Sequence, residues 1–485
     1  MTVASPAAPP KLGFATRFFY GFGSIAYGVK DIAFRTYLLW YYNYIIGAPP
    51  ALVSAAIMVA LIFDAISDPV VGQISDQLRT RWGRRHPLMY ASAIPASLSF
   101  ILLWFPPPGL EGATLFVYLV VLSTAVRTFI TLYEIPSSAL APELAPGYDD
   151  RTAIASYRYF FGYLGGIGLS FITLFYFMQP TEAYPVGQLN PDAYLAFGLF
   201  GGALMFTSVV ASTVGTHHRI KYLRLQPNRD ERKSAFQTLA MMARTFSNRN
   251  FLAILSFGIL KYSAIGLTSA LALYFGTFFW GFTNFQLAIL TLEYIVAATL
   301  ALAFAPFASR LMGKRNAAFL LAVLAVIMGA LPFILRLNGL FFENGDPRLL
   351  PAVFAIGAVY SLCGVSSAIL VHAMIGDVVD DSSLRTGRRA EGLFYSANSF
   401  MQKSVSGIGV FAAGLLLSLV GFPEKARPGQ VSQDVINALA IWYIPILMAL
   451  YIGGACFLYF YQLRRADHDA NLEAIRQQEN ASTGE

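Results

Sequence analysis

The chain has 485 residues, and its composition excludes a water-soluble protein of that length. Apolar residues make up 56% and charged residues 13%, against about 45–50% and about 25% in soluble domains. The net charge of +7 does not indicate a nucleic-acid partner, because the basic residues lie mainly in short loops between long apolar runs. Cys363 and Cys456 lie inside apolar runs and indicate neither a disulfide framework nor a metal site. The sequence therefore predicts a polytopic membrane protein.

Twelve apolar runs are long enough to cross a bilayer, whose hydrocarbon core of about 30 Å needs about 20 helical residues. A polar connector, residues 216–249, follows the sixth run and carries eight Lys or Arg residues. The predicted N-terminal bundle is 1–215, the C-terminal bundle is 250–463, and a polar tail, 464–485, follows. The predicted helices cover residues 14–46, 50–76, 87–105, 113–140, 152–178, 193–215, 250–279, 284–307, 315–336, 348–377, 390–421 and 435–463.

Positive charge is divided unevenly between the two sides of the predicted membrane. The termini and the even-numbered loops hold most of the 34 basic residues, whereas the opposite loops hold four. Cytoplasmic loops carry an excess of Lys and Arg. Both termini, the connector and the tail are therefore expected on the cytoplasmic side.

The loop after the second helix recurs in the second half of the chain. It contains Gly83–Arg85, and the equivalent loop, six helices later, contains Gly313–Arg315, again a glycine followed by two cations. Glycine clusters at 162–168 and 407–409 also occupy the fifth and eleventh helices, where they are expected to allow close helix packing. Repeated halves are typical of secondary transporters. The loop pattern resembles that of major facilitator transporters, which implies an all-α fold of twelve transmembrane helices in two six-helix halves.

Ionisable side chains remain inside the predicted spans. Each costs about 2.5 kcal/mol or more near the bilayer centre, so it indicates function unless it snorkels or pairs structurally. Lys261 and Glu293 lie on adjacent helices, and a structural ion pair between them is the favoured interpretation, with a functional role as the alternative. The basic residues are Lys30, Arg35, Arg127, Arg158, Lys261 and Lys403, and the clearest acidic ones are Asp31, Asp64, Asp68, Glu134 and Glu293.

Three of these acids predict a cation site. Asp64 and Asp68 are four residues apart, so they share one face of the second helix. Two such carboxylates repel each other, which favours a bound proton or a cation that neutralises both. Carboxylate oxygens suit a hard cation. Glu134, just before Pro136, is placed to complete this site or to bind a substrate hydroxyl, and a structural polar cluster is the alternative.

Two basic residues stand at the same position in each half. Arg158 lies on the fifth helix and Lys403 on the eleventh. We expect them to neutralise the carboxylates in one conformational state or to contact substrate, with structural pairing as the alternative.

A group of charges at the end of the second helix predicts a gate. Asp76 stands close to Arg79, Arg84 and Arg85 in the chain. Ion pairs among them are expected to latch the cytoplasmic side in one conformational state.

Motifs in both halves match one known family. The most specific is the string from Phe63 to Gly72, followed by Asp76 and by residues 81–87. Further matches are Tyr20–Gly23, Glu134–Pro136, Asp377–Asp380 and Glu391–Ser396, which leads to Lys403. The chain resembles the glycoside–pentoside–hexuronide:cation symporter family of the major facilitator superfamily. The resemblance implies alternating access, a small-molecule substrate, Na⁺ or H⁺ as the coupling ion and no other cofactor.

The resemblance also implies roles for matching residues. Asp64 and Asp68 become the cation ligands, Glu134 is shared between cation and sugar, and Lys403 links the two sites. The family's sugar-binding aspartate falls at Gly28 here, with Asp31 about one turn later.

The sequence departs from the family around the sugar. Ser138 stands where the family has a tryptophan, and a second family tryptophan falls near Ala368. Tyr159 stands where the family has an arginine, and Arg158 lies one residue early. These changes put a melibiose-type ligand in doubt. The predicted substrate-binding residues are Asp31, Glu134, Ser138, Arg158, Tyr159 and Lys403.

The leading hypothesis is a cation-coupled symporter of the bacterial inner membrane that imports a sugar, glycoside or uronide, with membrane lipid around it. The alternative is a symporter of lysophospholipid or another amphiphile, because animal lysophosphatidylcholine carriers resemble this family and loss of the pocket tryptophans suits a bulkier ligand. An enzyme is not expected, since the chain shows no nucleophile elbow, HExxH motif or phosphate loop. A passive channel or a receptor is a further alternative.

Overall fold

The computed structural model describes residues 12–144, 148–222, 247–386, 391–425 and 429–463, without the side chains of some helical residues, Lys403 among them. Every named element in these ranges is a helix, apart from an isolated bridge between Thr80 and Gly83. The expected all-α class is thus confirmed. Most of the predicted connector (223–246) and the whole predicted tail (464–485) lie outside the described residues.

The chain divides into two compact units. The described part of the first unit contains the six predicted crossings as helices. The first crossing, α1, is a series of short segments, some of them wider π-helical turns. The bounds are Phe14–Phe22, Ile25–Ile32, Ala33–Tyr37, Leu38–Trp40 and Tyr41–Ile46 for α1, Pro50–Gln77 for α2, His86–Leu103 for α3, Gly112–Leu144 for α4, Tyr148–Ile172 continued by Thr173–Phe177 for α5, and Pro191–His217 for α6.

The second unit contains the other six crossings. In the described part of the chain, eleven helices are long and apolar enough to cross a membrane, and the segmented α1 accounts for the twelfth predicted span. The bounds are Arg249–Tyr274 continued by Phe275–Phe279 for α7, Asn284–Met312 for α8, Lys314–Leu337 for α9, Leu349–Thr386 for α10, Glu391–Leu419 for α11, and Gln433–Phe457 followed by Leu458–Phe460 for α12.

Three helices run several residues beyond their predicted ends. α4 ends at Leu144, α8 at Met312 and α10 at Thr386, whereas the apolar runs end at 140, 307 and 377. An apolar run marks the part of a helix that suits hydrocarbon, but backbone hydrogen bonds continue the helix into polar sequence. The extension of α4 carries Glu143, which belongs to the site described below.

Glycines allow the backbones of α1 and α5, and those of α7 and α11, to pack in direct contact. A Cβ atom at Gly28 would lie 2.1 Å from the carbonyl oxygen of Gly162, and one at Gly409 would lie 2.0 Å from the carbonyl oxygen of Ser263. Small residues allow membrane helices to approach this closely. The predicted packing role of these glycine clusters is confirmed, and the same helix pair recurs in both halves.

Candidate functional site

Asp64 of α2 lies in the interior of the first unit, where α4 holds its carboxylate. The side chain is fully buried. Arg127 Nη1 donates to Asp64 Oδ2 at 2.7 Å, and Thr131 Oγ1 donates to Asp64 Oδ1 at 2.9 Å. Hydrogen bonds between a guanidinium and a carboxylate are among the strongest in proteins. The negative charge of Asp64 is therefore compensated inside the protein.

Asp68 lies one turn further along α2 and faces the same hydroxyl group. Thr131 Oγ1 lies 3.1 Å from Asp68 Oδ1 and 2.9 Å from Asp64 Oδ1. A hydroxyl has one hydrogen to donate, so it serves one of the two carboxylates at a time. The expected common face of α2 is confirmed. Carboxylate and hydroxyl oxygens together form a donor set that suits a hard cation.

Arg127 changes the charge balance that the sequence predicts. Repulsion between the two aspartates requires an outside cation or proton only if both charges stand alone, and the guanidinium already neutralises one of them. Arg127 is buried, and its Cζ lies 4.8 Å from the centre of the Phe34 ring on α1. This arrangement is a cation–π contact. An incoming cation at the aspartate pair therefore meets a fixed positive charge.

Glu134 lies two turns beyond Arg127 on α4 and pairs with Lys30 of α1. Lys30 Nζ lies 3.6 Å from Glu134 Oε2 and 3.4 Å from Asp31 Oδ1. Lys30 is buried, whereas the Asp31 side chain is 48% exposed. The structure thus brings a predicted cation ligand and a predicted solute ligand to one ammonium group.

Arg158 of α5 lies among tyrosines of α1. Its Nη1 donates to Tyr20 Oη at 3.2 Å, and its Cζ lies 5.4 Å from the centre of the Tyr27 ring. Tyr20 Oη donates in turn to the carbonyl oxygen of Ser137 at 2.9 Å. The charge of Glu134 also acts on the guanidinium. Arg158 therefore joins α1, α4 and α5 beside Glu134.

Two predicted solute residues are not brought into this group by their side chains. Ser138 Oγ donates to the carbonyl oxygen of Glu134 at 2.8 Å, within its own helix. Tyr159 is 63% exposed, because one helical step turns it away from the position of Arg158. The side chain of Lys403 lies outside the described residues, so its pairing with Glu134 stays a prediction.

Three of the four predicted gating residues, Asp76, Arg84 and Arg85, meet near the end of α2. Arg85 Nη1 lies 2.6 Å from Asp76 Oδ1, and Arg85 Nη2 lies 3.2 Å from Glu143 Oε1. Arg84 Nη2 lies 2.6 Å from the same oxygen of Glu143. Arg79 follows α2 by two residues. We call Asp76, Arg84, Arg85 and Glu143 the N-terminal latch.

The second unit has an equivalent ion pair. Lys314 Nζ lies 2.7 Å and 2.8 Å from the two carboxylate oxygens of Asp377 on α10. Tyr461 Oη donates to Asp377 Oδ2 at 3.4 Å. In each half, a cation of the repeated loop binds an acid on the fourth helix of that half. This supports the internal repeat that the loop sequences indicate.

The expected ion pair between Lys261 and Glu293 is wrong. Lys261 Nζ donates to the carbonyl oxygen of Gly364 at 2.9 Å, whereas Glu293 accepts from Ser361 Oγ at 3.5 Å. Both side chains contact α10, but at different turns of that helix. Two helices that are consecutive in the chain therefore bring these residues to a common third helix without bringing them to each other.

The sequence alone did not predict a role for four residues of these clusters. A signal existed for two of them, because residues at i, i+4 and i+7 share one helix face and Glu134 completes that spacing on α4. Glu143 lies beyond the apolar run and so outside the predicted membrane span. The four are Lys30, Arg127, Thr131 and Glu143.

The chain forms two six-helix units, and both have ionisable groups inside their membrane helices and a matching charged loop. These features define a secondary transporter of the major facilitator type. The chain belongs to the MFS/sugar transport protein family, whose model matches residues 19–465. The expected superfamily and fold are thereby confirmed.

Known relatives match over nearly their whole length. The chain is 26% identical to the isoprimeverose transporter of Lactiplantibacillus pentosus, covering 99% of this chain and 96% of that one. It is 25% identical to sodium-dependent lysophosphatidylcholine symporter 1 of Gallus gallus, covering 98% and 92%. The inward-open xylose transporter XylE from E. coli has a TM-score of 0.62 at 11% identity, covering 95% and 99%. The last similarity shows the fold.

Proposed function

We propose that this protein is a cation-coupled symporter that carries a sugar, glycoside or uronide by alternating access. The observation that carries the proposal is the Asp64–Asp68 pair, whose carboxylates share the hydroxyl group of Thr131 inside the membrane. Glu134, which pairs with Lys30, lies on the same face of α4 as Thr131. Membership in a sugar transport family supports a sugar-like solute. The relatives named as an isoprimeverose transporter and a sodium-dependent symporter support solute and ion coupling respectively.

The coupling ion, Na⁺ or H⁺, binds at Asp64, Asp68 and Glu134, with Thr131 as a further oxygen ligand for Na⁺. Among the described residues no three acids lie close enough to hold one metal ion, so Glu134 joins the two aspartates only after it leaves Lys30. To bind Asp64, this ion competes with Arg127. Two unit charges about 4 Å apart repel by about 4 kcal/mol at an effective dielectric constant of about 20. Ion binding and the Arg127–Asp64 contact therefore oppose each other. The exchange of one for the other links ion binding to a movement between α2 and α4.

The solute binds next to the ion through groups that suit hydroxyls. Glu134 and Asp31 accept hydrogen bonds from solute hydroxyls, and Arg158 donates to solute oxygens. Lys403 contributes from the second half and links the solute to the ion. Ser138 and Tyr159, whose side chains lie outside this group in the structure, stay predicted solute contacts on α4 and α5.

The protein resides in a bacterial inner membrane with both termini in the cytoplasm. This orientation follows from the distribution of Lys and Arg among the loops. It places the N-terminal latch on the cytoplasmic side, where Arg85 is held between Asp76 and Glu143. The latch stabilises one of the two conformational states.

Uptake by the purified protein in proteoliposomes tests the proposal. Candidate sugars, glycosides and uronides are first selected by a thermal-shift screen with and without Na⁺, since a bound ligand stabilises the native state. Labelled hits are then offered under an imposed Na⁺ gradient, an imposed pH gradient or no gradient. Accumulation above equilibrium that requires one of the gradients supports symport. Equilibration that ignores both gradients would show a passive pathway and contradict it.

A lysophospholipid is the second candidate solute. The relative from Gallus gallus is named for lysophosphatidylcholine, and Ser138 stands where the sugar-binding family has a tryptophan. The same proteoliposomes distinguish the two candidates by competition. If lysophosphatidylcholine inhibits and is itself carried while no sugar is, the lysolipid replaces the sugar as solute and the ion coupling is unaffected.

A further inference from the structure

The second unit contains an intramembrane carboxylate that the proposed coupling site does not use. Glu293 lies on α8, nine residues after the first residue of that helix. At 1.5 Å per residue, this places it about 14 Å from the helix start. The side chain is half-buried and rests against α10. An ionisable group at this depth indicates a functional site.

A glycine provides the space for this carboxyl group. A Cβ atom at Gly357 would lie 2.0 Å from Glu293 Oε2, so the carboxyl group rests directly on the backbone of α10. Ser361 Oγ, one turn later, donates to Oε1 at 3.5 Å, which is long for a hydrogen bond. Among the described residues, the carboxyl group has no other hydrogen bond, and no Lys or Arg nitrogen lies within 4.0 Å of it.

The surrounding ionisable groups do not supply a counter-charge. Lys261 of α7 binds a backbone carbonyl of α10 instead of Glu293. Tyr360 of α10 and Tyr294 of α8 are the nearest ionisable neighbours along the two helices, and phenols are neutral at physiological pH. α9, which also packs on α8, has no ionisable side chain between residues 316 and 335.

We propose that Glu293 is a proton-binding site of the second unit, separate from the ion site at Asp64 and Asp68. A carboxylate inside a membrane needs a cation or several hydrogen bonds to remain charged, and Gly357 and Ser361 provide neither. A proton from the solution converts the carboxylate to a neutral acid that packs on α10. Loss of that proton charges the contact between α8 and α10 and weakens it. The effect on transport rests on the proposed function, whereas the proton site does not.

Infrared spectroscopy of the purified protein in lipid tests the proton site directly. The C=O stretch of a protonated carboxyl group is separate from the bands of a carboxylate. We expect a protonated band at neutral pH that fades as pH rises and that Glu293→Gln removes. The matched control is Asp434→Asn, which changes an exposed acid in the first turn of α12 and should leave the band in place. A Glu293→Gln spectrum identical to the wild type at every pH would overturn the proposal.

A second variant keeps the test valid if Glu293→Gln does not fold. Ser361→Ala retains the carboxyl group and removes its hydrogen-bond donor. Since that hydrogen bond favours the charged form, the band should persist to higher pH in this variant. A band that titrates as in the wild type would place the protonated group elsewhere.

The link to transport has its own readout. Under the proposed function, solute uptake by the wild type should depend on pH through one ionisation that Glu293→Gln lacks, while stimulation by the coupling ion remains. An unchanged pH profile in Glu293→Gln would remove the link to transport. If no solute is carried at all, the proposed function fails, and the infrared result still decides the proton site.

Discussion

The two halves place similar ionisable side chains on equivalent helices and balance them differently. α1 and α7 each carry a buried lysine, Lys30 and Lys261, and α2 and α8 each carry an intramembrane acid, Asp64 and Glu293. In the first half, the lysine and the acid each have a partner of opposite charge. In the second half, Lys261 binds a backbone carbonyl and Glu293 a hydroxyl group.

The difference originates in the fourth helix of each half. α4 presents Arg127 to Asp64, whereas α10 has no Lys or Arg between Arg348 and Arg385. α10 instead offers Gly357, Ser361 and Gly364 at the i, i+4 and i+7 spacing. A face with a cation stabilises charged acids, and a face of small neutral residues stabilises an uncharged one. The comparison teaches that one basic residue decides whether an intramembrane acid is held as half of an ion pair.

The largest effect should follow from Asp64→Asn. Arg127 then remains buried without its partner, which costs about 3–5 kcal/mol of stability, and gradient-driven accumulation should be lost. Asp68→Asn should lose accumulation with less loss of stability, because Asp68 is only partly buried. The measurements are thermal unfolding of the purified variants and uptake into proteoliposomes.

The double variant Asp64→Asn with Arg127→Gln separates folding from coupling. It removes both buried charges, so stability should return while accumulation stays absent. Wild-type accumulation in Asp64→Asn and Asp68→Asn would remove the cation-site assignment.

Lys403→Ala should impair both solute binding stimulated by the coupling ion and transport. Because Glu134 keeps Lys30 Nζ at 3.6 Å, losing Lys403 as a second partner should cost less stability than the about 3–5 kcal/mol of an uncompensated buried charge. Combining it with Glu134→Gln should then be no worse than the single changes. Solute titrations with and without ion measure the stimulation, and ion titrations with and without solute must show the same loss. Normal binding with full stimulation in both directions would make Lys403 structural.

The two buried lysines should respond in opposite ways to replacement by methionine, which has a similar length. Lys30→Met breaks the contact with Glu134 and should lower stability by about 1–3 kcal/mol, the cost of an unsatisfied buried group. Lys261→Met removes a buried ammonium that has no acidic partner among the described residues, so stability should be unchanged or higher by up to about 4 kcal/mol. Unfolding of the two variants side by side measures the contrast. Equal losses would contradict the difference between the halves.

The smallest effects should come from the charged loops. Asp76 is 61% exposed, so Asp76→Asn should change stability by less than about 1 kcal/mol. Asp377 is buried and binds Lys314 through both oxygens, so Asp377→Asn should cost more, about 1.5–3 kcal/mol.

Asp76→Asn should instead shift the balance between inward-open and outward-open forms. Accessibility of cysteines engineered at the two faces measures this balance. Accessibility that matches the wild type would count against a latch.

The sequence predicted the helices well because span length and hydropathy report directly on a bilayer. It also predicted that Asp64 and Asp68 share a face, since a spacing of four residues fixes that relation within one helix. It did not predict the Arg127–Asp64 pair, because the two residues lie on different helices and the rotation of α4 relative to α2 is set by packing. The sequence did not predict the role of Thr131, because a threonine is uncharged and its presence in an apolar run does not by itself indicate a binding site.

The prediction that Lys261 and Glu293 form an ion pair was wrong for a related reason. The prediction placed the two side chains in contact because α7 and α8 are consecutive in the chain. In the structure both side chains contact α10 instead, next to small residues at separate turns of that helix. Contacts between distant segments depend on which face each helix presents, and one sequence does not fix that choice. The solute residues Ser138, Tyr159 and Lys403 accordingly remain predictions.

The Lys30–Glu134 pair also has a consequence for synthesis at the ribosome. α1 enters the membrane before α4 has been made, and about 100 residues separate the two partners. At about 5–20 residues per second, α4 follows after roughly 5–20 s. During that interval only Asp31 is near the ammonium of Lys30, whose burial costs about 2.5 kcal/mol or more. The first helix therefore inserts weakly on its own and gains its acidic partner only once the fourth has been translated. Nascent chains truncated before Pro50, which contain α1 alone, should be readily extracted from the membrane.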